Sequence, residues 1–336
     1  MVQFQLPVDE AFSHLFLLGL ASILEDADKT SARTCSLQWV NRMQAELRTN
    51  DDTPLTLTEC SETVLRHAQR WNDSEWLSPA LSARQKVAEK LADREAWERL
   101  QRGREAAIDM LQTPLDRRYI GALGEPSYWS GSLESNGYST DNGASRWEMV
   151  TRNRGQEFMG GRLRPLAAAV SQRSVEAVES GLSGKTVTDE VGHDSAESRT
   201  PTGLRRPSRT DNAQAWCALF GVSAFSLGRT TTNTKSTTSA MFQLHGQFRF
   251  ATLPLWKDFW TLEKYRAVAR SASLMAFGIS QISTTAAKQS FLTPESAHAH
   301  LSEEGVIGIE LFSQYVSGNK SAPERWMEKG RFVSLL

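Results

Sequence analysis

The chain has 336 residues, a formal net charge of −1, and is 40% hydrophobic and 23% charged. That composition supports a buried core and one or two domains, and it argues against a chain that is basic throughout, so any polyanion site must be a local patch. Three widely spaced cysteines, Cys35, Cys60 and Cys217, argue against a disulfide scaffold and a cysteine zinc site, and point to a reducing cytoplasm.

Residues 2–6 alternate apolar and polar and Pro7 closes them, the pattern of a short strand. Residues 11–24 form an apolar run, with Leu15, Leu18, Ala21, Ile23 and Leu24, that reads as a buried helix in which Gly19 marks a close contact. Ser13 and His14 interrupt the run, and Asp9 and Glu10 precede it instead of lysines. It therefore fits neither a signal peptide nor a membrane span, and His14 reads as a core histidine. Residues 34–48 look strand-like and then helical, Asn50, Asp51 and Asp52 make a turn, and Leu55 and Leu57 suit a second strand. A helix from Ser61 carries Val64, Leu65, Ala68 and Trp71. The longest helical pattern, 82–112, places Val87, Leu91, Trp97, Leu100, Ala107, Ile108 and Leu111 on related faces, with a solvated charged face opposite.

Residues 121–145 hold five glycines among serines and aromatics and read as a long loop. There Tyr128, Trp129 and Tyr138 either stack on bases or pin the loop to the core. Residues 142–173 carry Arg146, Arg152, Arg154, Arg162, Arg164 and Arg173 against Glu148 and Glu157, with Trp147 interleaved and Gly160 and Gly161 paired. Guanidinium groups pair with phosphates and an indole stacks on bases, so this stretch is a candidate nucleic-acid site. The alternative is an arginine-rich surface helix held by ion pairs. From about Gly155 to Ser180 the pattern is helical, with a kink expected at Pro165.

Residues 181–212 lack apolar periodicity and read as a polar linker or mobile loop, with a basic second half containing Arg199, Arg205, Arg206 and Arg209. Residues 213–227 read as an apolar helix with Gly221 inside it. The polar tract 228–239 contains Arg229 and Lys235, which suit phosphate contact from a hairpin tip or simple solvation. Residues 241–250 alternate as one half-buried strand, and 253–256 continue extended. A helix follows over 262–277, another opens at Pro294, and 306–316 read as a strand or helix end. The expected architecture is α+β, mixed helices with short antiparallel sheet and long polar loops, divided as 1–180, 181–212 and 213–336.

No phosphate-cradling glycine loop, dinucleotide fingerprint or nucleophile elbow is present. His298 and His300 form the one close histidine pair and lack further ligands nearby in sequence, so no metal, cofactor or catalytic residue is expected.

Four stretches carry a family resemblance. They are FLLGLASILED (16–26) after the strand closed by Pro7, CALFGVSAFSL (217–227), the aromatic strand at 242–250, and LPLWKDFWTLEKYRAV (253–268). Together they resemble subunits, large-subunit-like, of type I CRISPR effector complexes of the I-U/I-G variants. The polar insertion 181–212 departs from that pattern. The resemblance implies a non-catalytic subunit of an RNA-guided DNA surveillance complex that holds strands or reads the protospacer flank. Its partners would be guide RNA, target DNA, the other subunits and a helicase-nuclease, with no membrane involved. On that reading Trp129, Arg146, Trp147, Arg152, Arg154, Arg162, Arg164, Arg205, Arg206, Arg229 and Lys235 are the candidate contacts. A protein-binding adaptor and an enzyme with a scattered active site are the alternatives.

Overall fold

A computed structural model of the chain describes residues 1–27, 33–50, 54–81, 94–123, 131–132, 137–138, 147, 158–229, 236–244, 249–287, 292–319 and 323–335. The architecture is α+β. Helix α1 (Ala11–Ala27) is the centre, and every residue from Ala11 to Leu24 is buried. A helix that is apolar all round has no solvent face to offer, so it must be surrounded. Its neighbours are α2 (Leu57–Asn72), α7 (Asn212–Gly221) and a four-stranded antiparallel sheet. That sheet runs in the order β1 (Val2–Gln5), β3 (Gln44–Thr49), β2 (Cys35–Asn41), β10 (Trp260–Thr261).

The expected helix within 34–48 is instead the β2–β3 hairpin. Cys35, Leu37 and Trp39 alternate with Ser36 and Gln38, and Ala45 and Leu47 pair across from them, so the period is two. Leu57 is not in a strand. Thr56 caps α2, its hydroxyl accepting from the Glu59 N–H, and Leu55 is buried just before it. The C-terminal end of α2 is held to α4 (Pro114–Leu123), where the buried Asp116 accepts from Arg70 and, at 3.1 Å, from the Trp71 indole. Of the long pattern at 82–112, helix α3 (Arg94–Asp109) is described, while 82–93 lie outside the described residues.

The reading at 241–250 needs a larger correction. Strands β8 (Met241–Gln243) and β9 (Arg249–Trp256) are two arms of a hairpin, with Phe242 opposite Phe250 and their rings stacked 5.5 Å apart. β9 lies beside the long strand β11 (Val306–Val316), whose far edge is shared by β12 (Arg325–Met327) and β13 (Arg331–Ser334). The helix expected over 262–277 is divided at Ser271 into α8 (Leu262–Arg270) and α9 (Ala272–Ser280). Ser271 ends the first and caps the second through Leu274 N. Helix α10 (Pro294–Glu303) packs on α9, and Gly278 lets α9 approach Thr252 of β9.

Residues from both ends of the chain meet in one hydrophobic cluster that runs, among the described residues, from Val2 to Leu335. Two contacts explain how. The His14 ring lies 4.7 Å from Trp39 on β2 and 5.8 Å from Phe312 on β11, while its Nε2 is 2.8 Å from the Val8 carbonyl. Burial holds His14 neutral by lowering its pKa to about 4. The second contact is the crossing of α1 and α7. A Cβ on Gly19 would lie 1.8 Å from the Cys217 carbonyl oxygen, and one on Gly221 would lie 2.0 Å from that of Leu15. The two backbones touch, and only glycine at both positions permits it.

Glu310 on β11 is fully buried, and Arg42, from the β2–β3 turn, reaches it at 3.0 Å. Burial pushes the Glu310 carboxyl up to about 7, against the pull of Arg42. Because the folded pKa is raised, the protonated form favours folding. That contribution is complete below the unfolded value near 4.5 and is lost as pH rises through 7.

Gly19→Ala should lose about 3 kcal/mol or more in urea titration, because overpacked backbone cannot relax. Gly121→Ala, with nothing within 4 Å of the added methyl, should be neutral or gain about 0.5–1 kcal/mol. Across pH 5–8 the stability of the unaltered protein should fall by about 2 kcal/mol relative to Glu310→Gln, whose profile lacks that carboxyl's slope. Parallel profiles would contradict the assignment.

Candidate nucleic-acid interface

Of the helix expected over 155–180, residues 155–157 lie outside the described residues and the rest is three pieces. A π-helical turn (Met159–Leu163) leads into α5 (Arg164–Ser171), and α6 (Val175–Leu182) follows a break capped by Ser174. Pro165 sits in the first turn of α5, where its missing N–H costs nothing, so the distortion falls before it, in the π turn at Gly160 and Gly161. Arg104 of α3 supports that turn from beneath. It is buried, donates to the Leu81 carbonyl and to Met159 Sδ, each at 2.8 Å, and lies over the Trp76 ring.

Residues 183–211, expected as a linker or mobile loop, are a series of turns packed on the body of the protein. Asp189 is the reason. Its buried carboxylate accepts from Gly192 N at 2.8 Å, Thr200 Oγ1 at 2.6 Å, Asn212 Nδ2 at 3.0 Å and Thr210 N at 3.0 Å. A charged acceptor with four donors stabilises a segment that has little apolar area to bury. Left-handed backbone at His193, Asp194, Thr202 and Gly203 lets the chain reverse around it. Asp211 caps α7 through Ala213 N and also accepts from Arg173, which reaches Glu190 and the Thr188 carbonyl as well. Arg173 is thus an internal staple and presents no free charge to a ligand.

This arrangement brings Arg199 from the turns to Arg162 from the π turn. Both line a cleft of about 280 Å³ with Gly192, His193, Ser195, Ser198, Thr200 and Glu197. Burial and then the Arg199 charge lower the pKa of the half-buried Arg162. Arg199 itself donates to Glu324 at 2.6 Å, beside β12. Two guanidinium groups held together in a partly dry cleft repel each other, and an anion between them offsets that cost.

The other sequence candidates fall in different places. Trp147 is fully buried, 4.8 Å from Phe225 in the core, so its indole is not available to stack on a base. Arg164 opens α5, half-buried, with Nη1 buried and lacking a hydrogen-bond partner among the described residues. Arg205 and Arg206 line a second cleft, of about 410 Å³, together with Glu10 and Lys329. There Arg205 is bonded to Glu10 at 3.0 Å and lies over Phe12, and Lys329 is bonded to Asp9, so acids offset most of the charge. Arg206 is exposed. Arg229 ends β6 (Leu227–Arg229), opposite Ser236 of β7 (Ser236–Thr238). Trp129, Arg146, Arg152, Arg154 and Lys235 lie outside the described residues.

His298 Nε2 lies 2.9 Å from the Leu335 carbonyl, and its ring faces Phe277. Burial raises the Cys217 thiol and pushes Cys60 up to about 12. Among the described residues no cluster of three metal-ligating side chains occurs, and no helix is long and apolar enough to cross a membrane. No protein-family model and no curated protein matches this chain.

If Asp189 holds the turns that carry Arg199, Asp189→Ala should cost about 3 kcal/mol, since several buried donors lose their acceptor. Limited proteolysis should then cut within 189–200 before global unfolding. A variant as protease-resistant as the unaltered chain would contradict this role.

Proposed function

We propose that this chain is a non-catalytic nucleic-acid-binding subunit of an RNA-guided antiviral DNA surveillance complex of the type I CRISPR effector kind. The observation that carries the binding reading is the meeting of Arg162 and Arg199. They come from two stretches that each read as basic in sequence, and they line one hydroxyl-rich cleft. Phosphate contacts of this kind position a strand without reading its bases. In RNA-guided assemblies that division of labour is general, since base pairing reads the target while protein groups hold the backbone and the flank. The effector assignment itself rests on the resemblance at 16–26, 217–227, 242–250 and 253–268. Guide RNA, target DNA, neighbouring subunits and a helicase-nuclease are the partners it brings.

A second reading, a protein-binding adaptor, draws on the exposed apolar side chains Val40 and Met43 at the β2–β3 turn and Phe332 on β13. Arg42 of that turn lies over the Phe332 ring at 5.3 Å, so the turn and β13 form one surface.

Binding of an oligonucleotide to the purified chain over a range of salt separates the two. Arg162→Gln with Arg199→Gln should weaken binding about tenfold and lower the log–log salt slope by roughly one per lost phosphate contact. An unchanged slope in a folded double variant would count against the cleft as a phosphate site.

A further inference from the structure

Alternate residues of a strand share a face, so Glu324, Trp326 and Glu328 point to the same side of the extended segment around β12. Tyr315 of β11 is the direct cross-strand partner of Trp326, and the two rings stack 4.1 Å apart at 22°. Neither ring belongs to the hydrophobic core, and Tyr315 is 40% exposed. The Trp326 indole N–H donates to Glu328 at 2.7 Å, which fixes the ring's orientation. Glu324 is the residue that Arg199 holds. Glu324 and Trp326 are two residues apart on this face, roughly 7 Å between their Cα atoms, so the carboxylate that holds Arg199 and the oriented aromatic pair lie on the same side of the strand.

We propose that the cleft and the aromatic pair form one site for single-stranded nucleic acid, in which a phosphate seats between Arg162 and Arg199 and a base stacks on Tyr315 and Trp326. The inference rests on the nucleic-acid reading of the cleft and adds the strand state. A duplex keeps its base faces covered, whereas an unpaired base offers a face to an aromatic platform. The two acids on this face are both engaged, Glu324 by Arg199 and Glu328 by the Trp326 indole. Glu324 competes with the phosphate for Arg199, so removing its charge strengthens binding.

Fluorescence anisotropy on the full chain tests this, using labelled single-stranded DNA, RNA of the same sequence, and the corresponding DNA duplex. Tyr315→Ala with Trp326→Ala should weaken single-strand binding about ten- to a hundredfold and leave duplex binding unchanged. Tyr315→Phe with Trp326→Phe should retain it, and Glu324→Gln should tighten it. The DNA and RNA arms show which backbone the site accepts. Equal loss for single strand and duplex, or full single-strand affinity in a folded double-alanine variant, overturns the single-strand site. If Arg162→Gln with Arg199→Gln still weakens binding about tenfold in that case, the cleft reading survives alone. If the unaltered chain binds none of the three probes, both readings fall.

Discussion

The backbone contact between α1 and α7 is the constraint on which the other arrangements depend. Gly19 and Gly221 face each other's helices, and a methyl group at either would overlap a main-chain carbonyl. Helices normally pack with axes 8–10 Å apart because side chains separate them. Without side chains at the crossing, two largely apolar helices come close enough to bury each other. That crossing joins segments about 200 residues apart in sequence and sets where the N-terminus of α7 points.

The site follows from that position in a short series of bonds. The first residue of α7, Asn212, donates to Asp189, and its cap, Asp211, holds Arg173 and the Thr188 N–H. Asp189 then draws in Gly192, Thr200 and Thr210. Arg199, next to Thr200, is thereby placed against Arg162 on one side and Glu324 on the other. Gly192 is required in this series, because a Cβ there would lie 1.9 Å from Ser198 Oγ. A cleft with two guanidinium groups is thus assembled, although the segment that supplies half of it has almost no regular secondary structure.

Much of the core was legible in the sequence. The apolar run of α1, the close contact at Gly19, the strand before Pro7 and the burial of His14 all follow from residue pattern. The errors have physical causes. Two arms of a hairpin share the same alternation, so 241–250 reads as one strand until the pairing of β8 with β9 is known. A polar segment without periodicity looks unfolded, yet one buried carboxylate with several donors organises the turns of 183–211. Trp147 sits among arginines in sequence but is carried into the core beside Phe225, and nothing local signals that. Tyr315 and Trp326 were silent for a related reason, since each is a lone aromatic until strand pairing brings the two together.

Light-induced crosslinking is the most direct measurement of where a nucleic-acid strand lies, because only a base in contact with a side chain is captured. A single-stranded oligonucleotide irradiated with the full chain and mapped by peptide sequencing should be joined to Tyr315 or Trp326, with further adducts confined to residues 159–163 and 191–200. Adducts that leave Tyr315, Trp326 and both arginine-bearing segments untouched, in a chain that binds the strand, would contradict the account.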